Sequence, residues 1–274
     1  MGAIEDLKGL YDAHRLIPFI GAGVSASVEW DGGKMRGPSW KEMVDQACRM
    51  LGFEDPELLR MRGTDLQILE YFKHCNNEEV AKLTNWLVRN MQPPDDALKS
   101  SPIHSQLAQM ERCSLFYTTN YDSFIERSFS LHGRTCRTVA AEAHIERHNN
   151  DAEIIKFHGD FDNPGVMVLT ESDYEERLSF NSAMDLRLFS DLLNRTVLFI
   201  GYSFRDPNVA YLFRRINSWF DKLPDSESGR RAYIIVSEPS DFERRLFRAR
   251  NIEVISVGPN LTAEVAGLLE EIRG

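Results

Sequence analysis

Cysteine is scarce in this chain and never clustered: Cys48, Cys75, Cys113 and Cys136 are spread over 274 positions. No two form a C-x-x-C pair and no histidine stands at metal-ligand spacing from them, so structural zinc is not expected and a metal-free protein is. Long apolar runs are missing too, none approaching the roughly 18 to 20 residues that cross a bilayer. The opening MGAIEDLKGLYDAHRL has no basic segment followed by an apolar one, and Asp6 stands where a myristoylation signal wants Ser or Thr. The expectation is a cytoplasmic protein with reduced thiols. Positive charge is in deficit, 32 Lys and Arg against 42 Asp and Glu, which disfavours broad capture of nucleic acid or anionic membrane. There is no internal repeat and no low-complexity tract.

What is present is a series of short apolar runs: LIPFI (16–20), LFY (115–117), IIKF (154–157), VMVL (166–169), TVLFI (196–200), AYIIV (232–236) and EVISV (253–257). Their β-branched content predicts strands, and near-continuous apolarity predicts a sheet covered on both faces. Helical patterns follow several of them. One is DPNVAYLFRRINSWF, where Asp206 suits the cap and Pro207 the first turn. The last third reads β-α-β-α-β-α, which predicts an α/β fold with a doubly wound parallel sheet. Between the first strand and Leu115 strand signals are weak, and Ser39 and Glu42 in PSWKEMV stand at capping-box spacing. The expectation is a single domain over 1–274 with an inserted helical module at about 39–110. LPDSESGRR (223–231) reads as a surface loop, and TESDYEERL as a helix start capped by Thr170.

Four strand ends carry residues of chemical interest. FIGAGVSAS places Gly21 and Gly23 directly after a buried strand, where missing side chains allow a tight turn and let backbone amides approach a pyrophosphate. The third glycine of a full dinucleotide fingerprint is absent and no G-K-S or G-K-T follows, so a turn without ligand is an even alternative. FYTTNYDSFIE breaks from strand into Thr-Thr-Asn-Tyr-Asp where a helix should begin. KFHGDF ends a strand in His158, which taken alone is more often a satisfied core group than a catalyst. FIGYSFRDPN ends another in Gly201 and then Ser203, with a turn and helix cap as its plain reading. Convergence of all four on one crevice at the strands' carboxyl ends is the more economical account.

The order GAGxS, T-x-N-x-D, HG and G-x-S resembles the sirtuin superfamily. The wording KFHGDFDNPGVMVLTESDY and FIGYSFRDPN is similar to its bacterial antiphage-defence branch, over about residues 15–220. The resemblance implies a Rossmann-like NAD-binding domain that cleaves the bond between nicotinamide and ribose. Such a cleavage passes through an oxocarbenium-like sugar, so the site needs a polar group holding ribose or water and a base nearby. Asn120 and His158 match the family's positions for these catalytic roles. Asp122 matches the aspartate that contacts the nicotinamide carboxamide. Gly21, Ala22, Gly23 and Ser25 match the pyrophosphate and ribose loop, and Gly201 and Ser203 the adenosine-side turn.

Deacylating sirtuins carry a four-cysteine zinc ribbon and a cofactor loop reading roughly D-F-R. This chain has no cysteine quartet and reads EWDGGKMRGPSW there, with Arg36 as the candidate for the loop's arginine. With no peptide groove evident, water becomes the expected acceptor. The expected function is therefore an NAD glycohydrolase making nicotinamide and ADP-ribose, which depletes NAD in antiphage defence. The alternatives are a protein deacylase or ADP-ribosyltransferase, and a noncatalytic module that binds NAD or ADP-ribose and gates an assembly. Because little chain follows the NAD-binding unit, control is expected from assembly. That means a homo-oligomer and a partner such as a HerA-type ring ATPase or a short Argonaute, docking on the locally basic stretch DFERRLFRAR (241–250).

Overall fold

Apolar runs too short for buried helices, rich in Ile, Val and Phe, form the strands of the computed structural model. It describes residues 2–145, 152–178, 182–203, 207–220 and 232–274. The strands are β1 (Leu16–Ile20), β2 (Glu29–Trp30), β3 (Met35–Arg36), β4 (Leu115–Thr118), β5 (Cys136–Val139), β6 (Ala152–Lys156), β7 (Thr196–Ile200), β8 (Ala232–Ser237) and β9 (Ile252–Val257). Seven of them form one sheet in the order β5-β6-β4-β1-β7-β8-β9, every pairing parallel. β2 and β3 make a separate antiparallel hairpin. The chain winds outward both ways from β1, the doubly wound Rossmann-like arrangement, and the order reverses there with β4 on one side and β7 on the other.

Alternation along each strand divides the core in two. On one face Leu16, Ile20, Phe116, Ile154 and Leu198 pack with Leu7, Leu107, Phe129 and Leu269. These come from the helices Ala3–Asp12, Pro102–Gln109, Phe124–Leu131 and Leu261–Arg273. On the other, Ile17, Phe19, Tyr117, Ile155 and Phe199 pack with Leu188 of Ala183–Asn194 and Phe213 of Pro207–Phe220. Both faces are thus covered, as the continuous apolarity of the runs predicts.

Between β3 and β4 the described residues are helical. The helix Trp40–Met50 starts at the predicted capping box, where Ser39 Oγ accepts from the Glu42 amide (3.3 Å) and Glu42 Oε2 accepts from the Ser39 amide (2.7 Å). Met43, Val44, Ala47, Leu69, Phe72, Leu83 and Leu87 form a core of their own, joined by Leu169. Helix Pro102–Gln109 packs instead on the sheet through Ile103 and Leu107.

Two expectations change. Residues 166–169 are not a strand: Val166 ends a short 3-10 turn, and Met167, Val168 and Leu169 follow it without pairing to the sheet. Their apolarity is explained by burial over the strand ends, Val168 donating its amide to the His158 carbonyl (3.0 Å). Conversely, β5 is a strand with half-buried Cys136, Arg137 and Thr138, an edge position that needs no apolar run. The helix Glu171–Leu178 follows Thr170 as expected, and Asp173 Oδ2 accepts from the Thr170 amide (2.9 Å). Asp206 and the loop 223–231 lie outside the described residues.

Beneath β5 and β6 sits a charge network. Glu153 is 2% exposed and is held between Arg137 of β5 and Arg187 of the helix Ala183–Asn194. Burial pushes the Glu153 carboxyl up, but the two guanidiniums outweigh it and hold it below the usual range. Its stabilisation is therefore present above the unfolded carboxylate value, about 4.3, and is lost as pH falls through the lower folded value. Glu153→Gln is expected to destabilise the protein by about 2 to 3 kcal/mol at pH 7. Thermal midpoints measured against pH should show the variant's deficit narrowing below about pH 4; a deficit constant with pH would show that packing, not charge, carries it.

Candidate functional site

One register row organises the strand ends. Ile20 of β1 pairs with Thr118 of β4 and Ile200 of β7, and Thr118 pairs with Lys156 of β6. The chain leaves the sheet after this row on four adjacent strands, so the residues just beyond it meet at the carboxyl edge. Asn120 and His158 each stand two residues past the Thr118–Lys156 pair.

Past the row, hydrogen bonds join two of the strand exits. Thr118 Oγ1 donates to the Ile20 carbonyl (2.9 Å) and accepts from the Asn120 amide (3.0 Å). Asn120 Nδ2 donates both to the Gly21 carbonyl (3.0 Å) and to Ser25 Oγ (2.9 Å). Ser25 Oγ in turn donates to Asp122 Oδ2 (2.8 Å), while Asp122 Oδ1 accepts from the Phe124 amide (3.0 Å) at the start of the next helix. Ser25, Asn120 and Asp122 are all buried. Asparagine is suited to the central place because it donates twice while keeping a carbonyl oxygen that accepts. Ser25→Ala removes a donor and an acceptor from this buried chain and is expected to lower stability by about 1 to 3 kcal/mol. A denaturant midpoint unchanged in Ser25→Ala would show that the chain of bonds adds nothing.

The third exit is a glycine seam. The Gly21 amide donates to the Ile200 carbonyl and the Gly23 amide to the Gly201 carbonyl, both at 2.9 Å. Gly21 caps the short helix Ala22–Ala26. A Cβ on Gly21 would lie 2.5 Å from the Gly201 oxygen, and Gly201 itself has φ of +61°. Ala22 and Gly23 are exposed beside this seam, as is Ser203 beyond it.

The fourth exit carries His158, which is 2% exposed. Its ring lies edge-on to Tyr174 (5.3 Å between centroids) and tilted against Phe157 (5.6 Å). Behind it, Arg177 donates to the Phe157 carbonyl (2.8 Å), lies over the Phe157 ring and pairs with buried Asp185 at 3.1 Å. Tyr121, between Asn120 and Asp122, donates its hydroxyl to the Val168 carbonyl (2.7 Å) and so fastens the covering segment to the β4 exit.

A cleft of about 680 Å³ opens beside these groups, lined among others by Met91, Tyr121, Asp122, Glu126, Lys156 and Asp160. It meets the residues read from the sequence at Asp122; Gly21, Asn120, His158 and Gly201 are not in its wall. The hydrogen-bonded strand exits, rather than the cleft, therefore define the candidate site. Arg36 lies apart, its guanidinium on Glu42 of the capping box (2.9 Å). With the Ser39 groups, it holds the Glu42 carboxyl down at about 2. Among the described residues no three His, Cys, Asp or Glu side chains are grouped to hold a metal, and no helix is long and apolar enough to cross a membrane. Sequence reasoning passed over Lys156, Tyr121 and Arg177. A lysine inside the apolar run IIKF was the signal for the first.

Residues 114–255 match the SIR2-like domain family. An NAD(+) hydrolase ThsA from Cytobacillus dafuensis is 30% identical over 215 residues, covering 77% of this chain and 40% of that protein. Defense-associated sirtuin 2 from Bacillus subtilis is 26% identical over 253 residues, 88% of this chain and 23% of that protein. A structure solved for the mechanism and regulation of Sir2 enzymes aligns over 98% of this chain and 97% of that one, at 12% identity and a TM-score of 0.44. The chain spans less than half the length of the curated relatives it matches.

Proposed function

The chain belongs to the SIR2-like family, and from that premise we propose that it is an NAD glycohydrolase, cleaving NAD to nicotinamide and ADP-ribose in antiphage defence. The observation that carries the reading is the shared register of Asn120 and His158, each two residues past one strand pair and both buried. The similarity to an NAD(+) hydrolase over most of the chain supports it. In this reading the bond from ribose to the nicotinamide nitrogen breaks with its electron pair going to nicotinamide. Water adds to the sugar carbon and gives up its proton to the His158 imidazole. With both amide hydrogens of Asn120 committed, its carbonyl oxygen accepts from that water or from a ribose hydroxyl. Asp122 takes the carboxamide end. Gly21, Ala22, Gly23 and Ser25 take the pyrophosphate and ribose, where a glycine backbone admits a phosphate closely, and Gly201 and Ser203 take the adenosine side.

The proposal extends to a helical module inserted at about 39–110, metal-free chemistry, a cytoplasmic location and a homo-oligomer under a partner's control. The partner's proposed contact is the helix Asp241–Arg248, with Arg244, Arg245 and Arg248 exposed and Phe242 72% exposed; a HerA-type ATPase or a short Argonaute is the expected kind. The test is incubation of the protein with NAD and resolution of the products. Free nicotinamide with ADP-ribose supports hydrolysis. ADP-ribose on protein would indicate a transferase, and NAD binding without nicotinamide release a noncatalytic module.

A further inference from the structure

Lys156 is the last residue of β6 and is 1% exposed. It projects away from Phe157 and Ile155, toward the face that carries the helix Phe124–Leu131. Its ammonium donates to the backbone carbonyl of Asp122 and pairs with Glu126 Oε1 of that helix at 3.0 Å. Taking an ammonium out of water is costly, and an apolar residue of the same volume would serve packing as well or better. A buried lysine with two directed acceptors is therefore better explained by geometry than by stability.

The geometry is a tie across the β4–β6 seam. The ladder between these strands closes with the Phe157 amide on the Thr118 carbonyl (2.8 Å). Beyond that point the β4 exit carries Asn120 and Asp122, and the β6 exit carries His158. A long Phe161-to-Tyr121 backbone bond (3.4 Å) is the next link in the main chain. Lys156 spans the gap between them, gripping the carbonyl of Asp122 from two residues before His158. Burial pushes the Glu126 carboxyl up even though Lys156 draws it down.

We propose that Lys156 is a positioning residue: through its bonds to the Asp122 carbonyl and Glu126 it holds the loop bearing Asn120 and Asp122 in register with His158. The inference rests on the reading of this site as the one that cleaves NAD. Lys156→Met keeps the stem and removes the charge. Nicotinamide release should fall by about 10- to 100-fold in kcat, the scale of a misplacement of about 1 Å, while KM for NAD stays within about threefold. Amide hydrogen exchange in residues 119–123 should quicken. Replacing both partners, Lys156→Met with Glu126→Leu, removes the stranded carboxylate; the thermal midpoint should recover while kcat does not. Should the single variant fail to fold, the double variant carries the same comparison.

A folded Lys156→Met protein with kcat within threefold of the parent overturns the proposal, as does a double variant whose kcat returns with its stability. If the parent protein releases no nicotinamide at all, the NADase reading falls. Exchange then decides the tie alone: faster exchange at 119–123 supports it and unchanged protection overturns it.

Discussion

His158→Ala is expected to lower nicotinamide release by about 100- to 10,000-fold, the range a general base supplies. The ring is buried at the β6 exit, level with Asn120, and braced by Phe157 and Tyr174, so its orientation is set before substrate arrives. Removing a buried ring also leaves a cavity and lowers stability by about 2 to 4 kcal/mol, which makes a fold control essential. Turnover at saturating NAD should therefore be measured alongside far-ultraviolet circular dichroism at the same temperature. Parent-like turnover in a folded His158→Ala protein would remove the histidine from the mechanism. Asn120→Ala should show a similar fall, because it deletes the group that bonds Gly21 and Ser25 and offers its carbonyl to water or ribose. A lowered thermal midpoint with turnover intact would make Asn120 a turn residue only.

Gly201→Ala is the second large effect. Its Cβ would lie 2.6 Å from the Val24 amide nitrogen and 2.9 Å from Val24 Cγ2, and the backbone is left-handed at φ of +61°. The conformation alone costs an alanine about 1 kcal/mol. The clash is with the backbone of the short helix Ala22–Ala26 that follows β1, which cannot yield without breaking the Gly23-to-Gly201 bond. A loss of about 3 to 5 kcal/mol is expected, the upper range for point changes, together with loss of NAD binding where the protein still folds. Denaturant unfolding and calorimetric titration with NAD would measure the two separately. A Gly201→Ala protein as stable as the parent, with NAD affinity retained, would show that the seam tolerates a side chain.

Most strands legible in the sequence have both faces buried, although EVISV stood out by its β-branched residues while forming the edge strand β9. LIPFI, TVLFI and AYIIV are apolar because helices cover them above and below. β5 escaped notice because CRTV lies at the sheet edge, where arginine and threonine are at home. VMVL misled in the opposite sense, since burial of Met167, Val168 and Leu169 outside the sheet produces the same apolar run as burial within it. In the candidate site, the glycines, asparagine and histidine at strand ends were conspicuous by residue type and order. Lys156 did not, because its meaning lies in a contact to Asp122 and Glu126 that no local pattern encodes. Nor does composition reveal that the Asn120 amide hydrogens are both committed.

The central place of β1 has a consequence for how the protein comes into being. β1 leaves the ribosome before both of its neighbours, residues 115–118 and 196–200. Parallel pairings between such distant segments form late, because long loops must close before any contact rewards them. A nascent chain that ends before β7 holds Asn120 and His158 but lacks Ile200 and Gly201, the partners of the Gly21 and Gly23 amides. The cradle is thus incomplete in every such fragment. On the proposed NADase reading, a cell would be shielded from partial chains by strand order.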